Sequence, residues 1–529
     1  MGKVYSNLHV DGTFVYNNNP QSGYVLTTDN TGLVSWTASS ALIPVASNTE
    51  FGHIKVGSGL TMSGSGYLSS ISNANVNENK AIYIDATYGN DTTGVKYDLA
   101  KPFLTWLGAM AVAVSGDWII FNAGSYGGGW MSPVSNINVF CRPGVTISGG
   151  FLVSSSLTWK FLGHAVFTST DALRVVSVGQ TYDIQFDFDR IEGLVFWGII
   201  LADNSSPSFK IRVNCNSMTA SRPLRFNSTG GVVYDAVINC RERITALGQS
   251  AVLYQPSGTP SASGTIVINS PIIENIGSLT GRVVIEVTTV NGLTSSYFKT
   301  TINASIIRST SSTFVDNGTA NYSAVVMLGN VDNVTINGDL DGGPMPCIVN
   351  FSGGASPVYG CATFNGNMYS DREIVQHYSK FANGNGWLNI VIKNGYISTK
   401  GIGLSNAMFN RASTWNSIHG GIPGNIQILN CVLHNRNHNA SATAAIMRDD
   451  VTLTNAYGGP VEKNNFQVYN SMAYIDGGVG YIVTTNKASK EASFHNVRSN
   501  VDKDIVVTDT FSPTGLILDT NLIIPKNKL

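Results

Sequence analysis

One short pattern recurs through most of this chain and restricts its fold more than any other feature. Two or three apolar residues in alternation run into an asparagine. Copies are Ile211-Arg212-Val213 before Asn214, Ala236 to Asn239, Ile266 to Asn269, Thr301 to Asn303 and Val334 to Asn337. Later ones are Ile390 to Asn394, Ile426 to Asn430, Phe466 to Asn470 and Phe494 to Asn496. The asparagines follow one another at 25, 30, 34, 34, 57, 36, 40 and 26 residues. The interval of 57 is long enough to hide two units. A period in this range is the signature of a solenoid or propeller. An alternating strand sends one set of side chains inward, and stacking successive units buries that set against its neighbours. Asparagine at the following corner tolerates a left-handed backbone and can form an amide ladder with the asparagines above and below.

A β-propeller would use a more regular unit of about 40 to 50 residues with four strands. Variable spacing favours a helix of parallel strands, whose corners accept insertions. The expected fold is therefore all-β, a right-handed parallel β-helix of about nine or more coils. Composition agrees. Charged residues are only 12% of the chain, about half the usual share. Polarity comes from Asn, Ser, Thr and 55 glycines, which suits strands and tight turns rather than helices.

Four regions are expected: residues 1–75, polar and glycine-rich; 80–128, with the one convincing helix; 129–510, the repeated strands; and a tail at 511–529. The helix is expected from Pro102 to Val114, between the strands Ala81–Asp85 and Asp117–Phe121. Proline suits a first turn. Phe103, Leu104, Leu107, Met110, Ala111 and Val114 share one face at helical spacing.

The 529-residue chain carries a net charge of −1 and no basic stripe, so nucleic-acid binding is not expected. Cys141, Cys215, Cys240, Cys347, Cys361 and Cys431 are scattered and contain no CxxC pair, so reduced buried thiols are expected. The start MGKVYSNLHVDG lacks the apolar core of a secretory signal. The opening MGKVYS matches the myristoylation pattern through Gly2 and Ser6, a pattern short enough to recur by chance. The apolar run Gly193–Ala202 is too short to cross a bilayer, so no membrane insertion is expected.

Three stretches carry a family resemblance. GYVLTTDNTGLVSWT (Gly23 to Thr37) and SNTEFGHIKVGSGLTMSGSGYLS (Ser47 to Ser69) resemble segments of bacteriophage tail fibres. Tyr83 to Tyr126, with Asp85, Gly89-Asn90-Asp91, Lys101-Pro102-Phe103 and Gly116-Asp117, resembles the cap of pectate-lyase-like β-helices in tailspikes. A helix laid over the first coil would cover its apolar end and block edge pairing. The resemblance implies a homotrimer attached to other virion tail proteins through residues 1–75. It implies a virion location after synthesis in the host cytoplasm, and attachment to a host surface polysaccharide or outer-membrane receptor. The alternative it allows is a depolymerase that hydrolyses or lyses that polysaccharide. A free secreted lyase is a third option, disfavoured by the absent signal and the fibre-like start. No cofactor is expected.

Tailspikes that cut polysaccharide use carboxylates on the outer face. In Tyr182 to Glu192, alternation turns Ile184, Phe186 and Phe188 inward and Asp183, Gln185, Asp187 and Asp189 outward. Same-face neighbours stand about 7 Å apart, within the roughly 6.5–9.5 Å of an inverting glycosidase. Asp187 and Asp189 are thus the catalytic candidates; a solvated acidic face is the plain alternative. Asp339 with Asp341, Asp371 with Glu373, and Asp449 with Asp450 are weaker pairs, of which the first sits at a turn. His434 to His438 lacks the helix and further donors that a metal needs, so no metal site is expected. Of Trp130, Trp159, Trp197, Trp387 and Trp415, the Gly/Asn-flanked Trp387 and Trp415 are the candidate glycan contacts. Core or interface packing is the alternative for all five.

Overall fold

The computed structural model describes most of residues 76–499, with gaps at connecting segments such as 193–196, 255–262, 311–323, 411–423 and 450–464. Outside that span it describes the backbone of short strands only. Two units divide between Asn77 and Glu78. The first contains three short antiparallel pairs: Tyr24–Thr28 with Val34–Ala38, Glu50–Phe51 with Ile54–Lys55, and Leu60–Met62 with Leu68–Ser70.

The second unit is all-β, and every registered strand pairing in it is parallel. The chain alternates between two sets of strands. One is a sheet of 14 strands that begins at Trp130–Met131 and Gly150–Val153 and ends at Val479–Thr485 and Ile505–Val507. The other begins at Ala81–Ile84 and Trp118–Phe121 and ends at Glu491–Ser499 and Leu516–Leu518; it can be traced as a closed ring. Pairing thus reaches Leu518, inside the stretch that the sequence suggests is a tail.

The register explains the sequence pattern. Phe186, Val213, Ile238, Ile268, Ile302, Ile336, Phe364, Ile392, Ile428 and Val468 stand opposite one another on successive strands. All are at most 1% exposed. Burying each such side chain contributes about 1.5–3 kcal/mol. A one-residue slip would turn the whole column outward, so the register is strongly fixed. Aromatics fill the early part of the core: Phe151, Trp159, Phe161, Phe167 and Phe186 pack with ring centroids 4.9–6.4 Å apart.

The asparagines that follow those apolar residues form ladders. Nδ2 of Asn239, Asn269, Asn303 and Asn337 each donates to Oδ1 of the asparagine one strand before it, at 2.8–2.9 Å. Asn365, opposite Asn337, fills the interval of 57 residues that the sequence left open. It accepts from Asn394, which accepts from Asn430; Asn496 donates to Asn470. Asn394, Asn430, Asn470 and Asn496 have φ of 48–58°, the left-handed corner conformation that asparagine tolerates.

The helix is shorter than expected and buries a different face. It spans Trp106–Val112, with Thr105 as N-cap. Thr105 Oγ1 accepts from the Gly108 amide, while Asp91 accepts from the amides of Leu104 and Thr105 and from the Thr105 hydroxyl. These bonds satisfy first-turn donors and fix the start after Pro102. Trp106 and Ala109 face the core; the Trp106 ring stacks on Phe121 at 6.2 Å and meets Phe151 edge-on at 5.6 Å. Leu104, Leu107 and Val114, assigned by spacing to the buried face, are exposed. Leu104 and Val114 lie outside the helix; within it the Trp106 indole supplies the buried apolar area, while Phe103 is buried and Met110 packs against the core as the spacing predicts.

Five of the six cysteines are buried, Cys361 is half-buried, and all six are free thiols. Burial raises the pKa of the Cys141, Cys347 and Cys431 thiols.

Candidate functional site

Both predicted carboxylates are engaged in bonds within the chain. The strand Thr181–Asp187 alternates as expected, with Tyr182, Ile184 and Phe186 buried. Asp187 is the first rung of the asparagine ladder: Oδ1 accepts from Asn214 Nδ2 at 2.6 Å and Oδ2 from Gln185 Nε2 at 2.7 Å. Burial raises its pKa, and the amide bonds from Asn214 and Gln185 oppose that shift. Asp189 lies beyond the strand end, at the corner before Arg190–Ile191, so it does not continue the Asp183–Asp187 face. It pairs with His164 Nδ1 at 3.0 Å and accepts from Asn216 Nδ2 at 3.5 Å. His164 Nε2 is buried without a hydrogen-bond partner among the described residues.

Of the weaker pairs, Asp339 accepts from the backbone and side chain of Asn367. Asp341 caps its own turn through the Gly343 amide. Asp371 is paired with Lys400 at 2.7 Å, and Glu373 is fully buried 3.6 Å from Arg372. The side chains of Asp449 and Asp450 lie outside the described residues. Trp387 begins the strand Trp387–Lys393, but its side chain lies outside the described residues, as does all of Trp415. Trp159 is core and Trp197 is buried; Trp130 is 40% exposed. No group of three or more His, Cys, Asp or Glu among the described residues is placed to hold a metal ion.

The register assembles a site that spacing alone does not reveal. Tyr369, Ser398, His434 and Tyr474 stand opposite one another on four successive strands. Their neighbours Met368, Ile397 and Leu433 point into the core, so this column faces out. Tyr396 belongs to the adjacent outward column. The four rings are contiguous: Tyr369 to Tyr396 at 6.2 Å, Tyr396 to His434 at 5.9 Å, and His434 to Tyr474 at 6.2 Å. The Tyr396 hydroxyl bonds to His434 Nδ1, and His434 Nε2 bonds to Asp476 Oδ1 at 2.7 Å. The imidazole is therefore oriented from both sides. Ser398 lies fully buried in this column, its hydroxyl without a hydrogen-bond partner among the described residues. Partial burial raises the Tyr369 pKa, helped by Asp339, Tyr396 and Asp341 and opposed by Arg436. Tyr474 and Met472 are 38% and 40% exposed. His434 was visible as part of a polar run, but its ring partners lie 38 and 40 residues away and meet it only through strand register.

Comparison with family models, with curated proteins and with solved structures finds no match to this chain.

Proposed function

We propose that the chain is a tail-fibre or tailspike-type attachment protein: a right-handed parallel β-helix that holds glycan-binding side chains on its outer face. Support for the solenoid comes from the pairing order. Each strand meets the ones before and after it in chain order, one pass apart. The first strand of the second set pairs with Trp118–Phe121 and the last with Glu491–Ser499. A closed barrel would need those two ends to pair with each other, and no such register occurs among the described residues. Right-handedness follows from the general preference of parallel crossovers.

The observation that carries the binding reading is the contiguous ring stripe of Tyr369, Tyr396, His434 and Tyr474. Aromatic faces are electron-rich and take the C–H groups of sugar rings, while Asp and Tyr hydroxyl oxygens bond sugar hydroxyls. A homotrimer fits the distribution of exposed apolar side chains. Among the described residues, ten of the 14 large exposed hydrophobics lie between Tyr88 and Val134, as a contact surface at that end of the unit would require.

The test is affinity of the purified chain for a panel of bacterial surface polysaccharides. Replacing Tyr396 and Tyr474 together by Ala is expected to weaken binding roughly tenfold or more without shifting the melting temperature. Absence of binding by the unaltered chain, or unchanged binding by the double variant, would overturn the reading.

A depolymerase is favoured by one observation, the imidazole held between Tyr396 and Asp476, an arrangement suited to general acid–base chemistry. Release of shortened polysaccharide, lost in His434→Ala, would establish that reading over attachment alone. Release lost only in Asp187→Asn or Asp189→Asn would move the chemistry to those carboxylates.

A further inference from the structure

A second outward patch, on the 14-stranded sheet, has the opposite electrostatic character. Arg222 lies opposite Trp197, and Arg174 and Arg225 flank Ile200 on either side. The guanidinium carbons of Arg222 and Arg225 lie 4.4 and 4.5 Å from the centroid of the Trp197 indole. Arg174 is two strands from Arg225, about 9–10 Å at the backbone. It is close enough that its charge, after burial, lowers the Arg225 pKa. The indole, Ile200 and Leu253 form a small apolar cluster separate from the main core. Arginine stems over such a cluster hold their charged ends in fixed positions.

Among the described residues, two carboxylates are near. Asp171 is buried at 8% exposure; burial raises its pKa, and the charge of Arg174 opposes that shift. Glu286 stands beyond Leu253 and is bonded to the Ser250 hydroxyl. Two guanidiniums thus lie over one indole, with a third arginine two strands away on the same outward column. Guanidinium groups present paired N–H donors that match the two oxygens of a carboxylate or phosphate, and stacking on an indole pre-organises them.

We propose that Arg174, Arg222 and Arg225 around Trp197 bind an oxyanionic substituent, the carboxylate or phosphate carried by an acidic polysaccharide. The patch is separate from the tyrosine stripe, which is flanked by Asp339, Asp341 and Asp476 and suits neutral sugar faces. The inference therefore stands independently of whether the stripe binds glycan.

The experiment is calorimetric titration of the full chain with polygalacturonate, with its carboxyl-reduced form, and with inorganic phosphate. Binding to polygalacturonate is expected to weaken as salt rises and to fall roughly tenfold or more in Arg222→Gln/Arg225→Gln, which keeps the stems over the apolar cluster. Lys299→Ala, which removes an exposed cation on the other set of strands, is expected to leave it unchanged. Phosphate binding without polygalacturonate binding would assign the site to phosphate substituents. Equal affinity for the carboxyl-reduced polymer, no binding of either anion, or binding indifferent to the double arginine variant would each overturn the proposal. Circular dichroism of the glutamine variant, expected to match the unaltered chain, guards against a loss caused by unfolding.

Discussion

Removing one mid-ladder amide tests whether the asparagines hold the strands together. Asn303 donates to Asn269 and accepts from Asn337, both at 2.8 Å. Asn303→Ala deletes both bonds and leaves one acceptor and one donor half-buried without partners. Each bond contributes about 1 kcal/mol net, and orphaning the partners adds a penalty, so a loss of about 2–4 kcal/mol is expected. If the ladder is intact in the native state and absent from the unfolding transition state, the unfolding rate rises roughly 30- to 1,000-fold. The assay is the rate of fluorescence change after dilution into guanidinium chloride, with Lys299→Ala on the exposed face of the same strand as control. Equal rates for the two variants would refute the ladder's role. Asn303→Asp adds a sign test. Its carboxylate would face the Asn269 oxygen, which favours the protonated form, so its folded pKa is raised. The raised pKa gives a stabilising contribution that is full below the unfolded pKa and lost as pH rises through the folded value. The Asp variant should therefore recover stability on acidification, and the Ala variant should not.

Asp187 has a raised pKa from burial, so it too contributes stability below its unfolded pKa that is lost as pH rises through the folded one. Asp187→Asn keeps the acceptor for Asn214 and removes the buried charge. Its melting temperature at pH 7 is expected to equal or exceed that of the unaltered chain, and a clear drop would contradict the rung assignment. Trp106→Ala removes the ring that closes the start of the core and should destabilise by about 3–5 kcal/mol in chemical unfolding. A loss under 1 kcal/mol would show that the helix is incidental. Leu107 is 78% exposed on the outer helix face, so Leu107→Asp should lower the mass seen by light scattering while circular dichroism is unchanged. An unaltered mass would remove this face from the assembly contact.

The parts of this fold legible in the sequence are those written in one strand at a time. Ile266-Val267-Ile268-Asn269 states its own alternation and its corner. Asn365 closes Ala362-Thr363-Phe364, the same form as Ala236 to Asn239, so it too is legible within one strand. The helix face was misjudged because spacing marks every apolar stripe equally, whereas the Asp91–Thr105 cap decided where the helix starts. Sites depend on contacts across strands. Asp187 looks catalytic beside Asp189, but it meets Asn214 across an interval of 27 residues. Tyr369, Tyr396, His434 and Tyr474 carry no motif; only the insertion lengths between strands bring them into line.

The stacked-pass architecture is tested most directly by one distance. Spin labels at Ser125 and Arg498 would lie in one outward column, thirteen strand steps apart through Thr146, Val166, Arg190 and the later strands. At about 4.8 Å per step, pulsed electron resonance should report roughly 60 Å. A distance near 10–20 Å would mean that the first and last strands close on each other, and would contradict the β-helix.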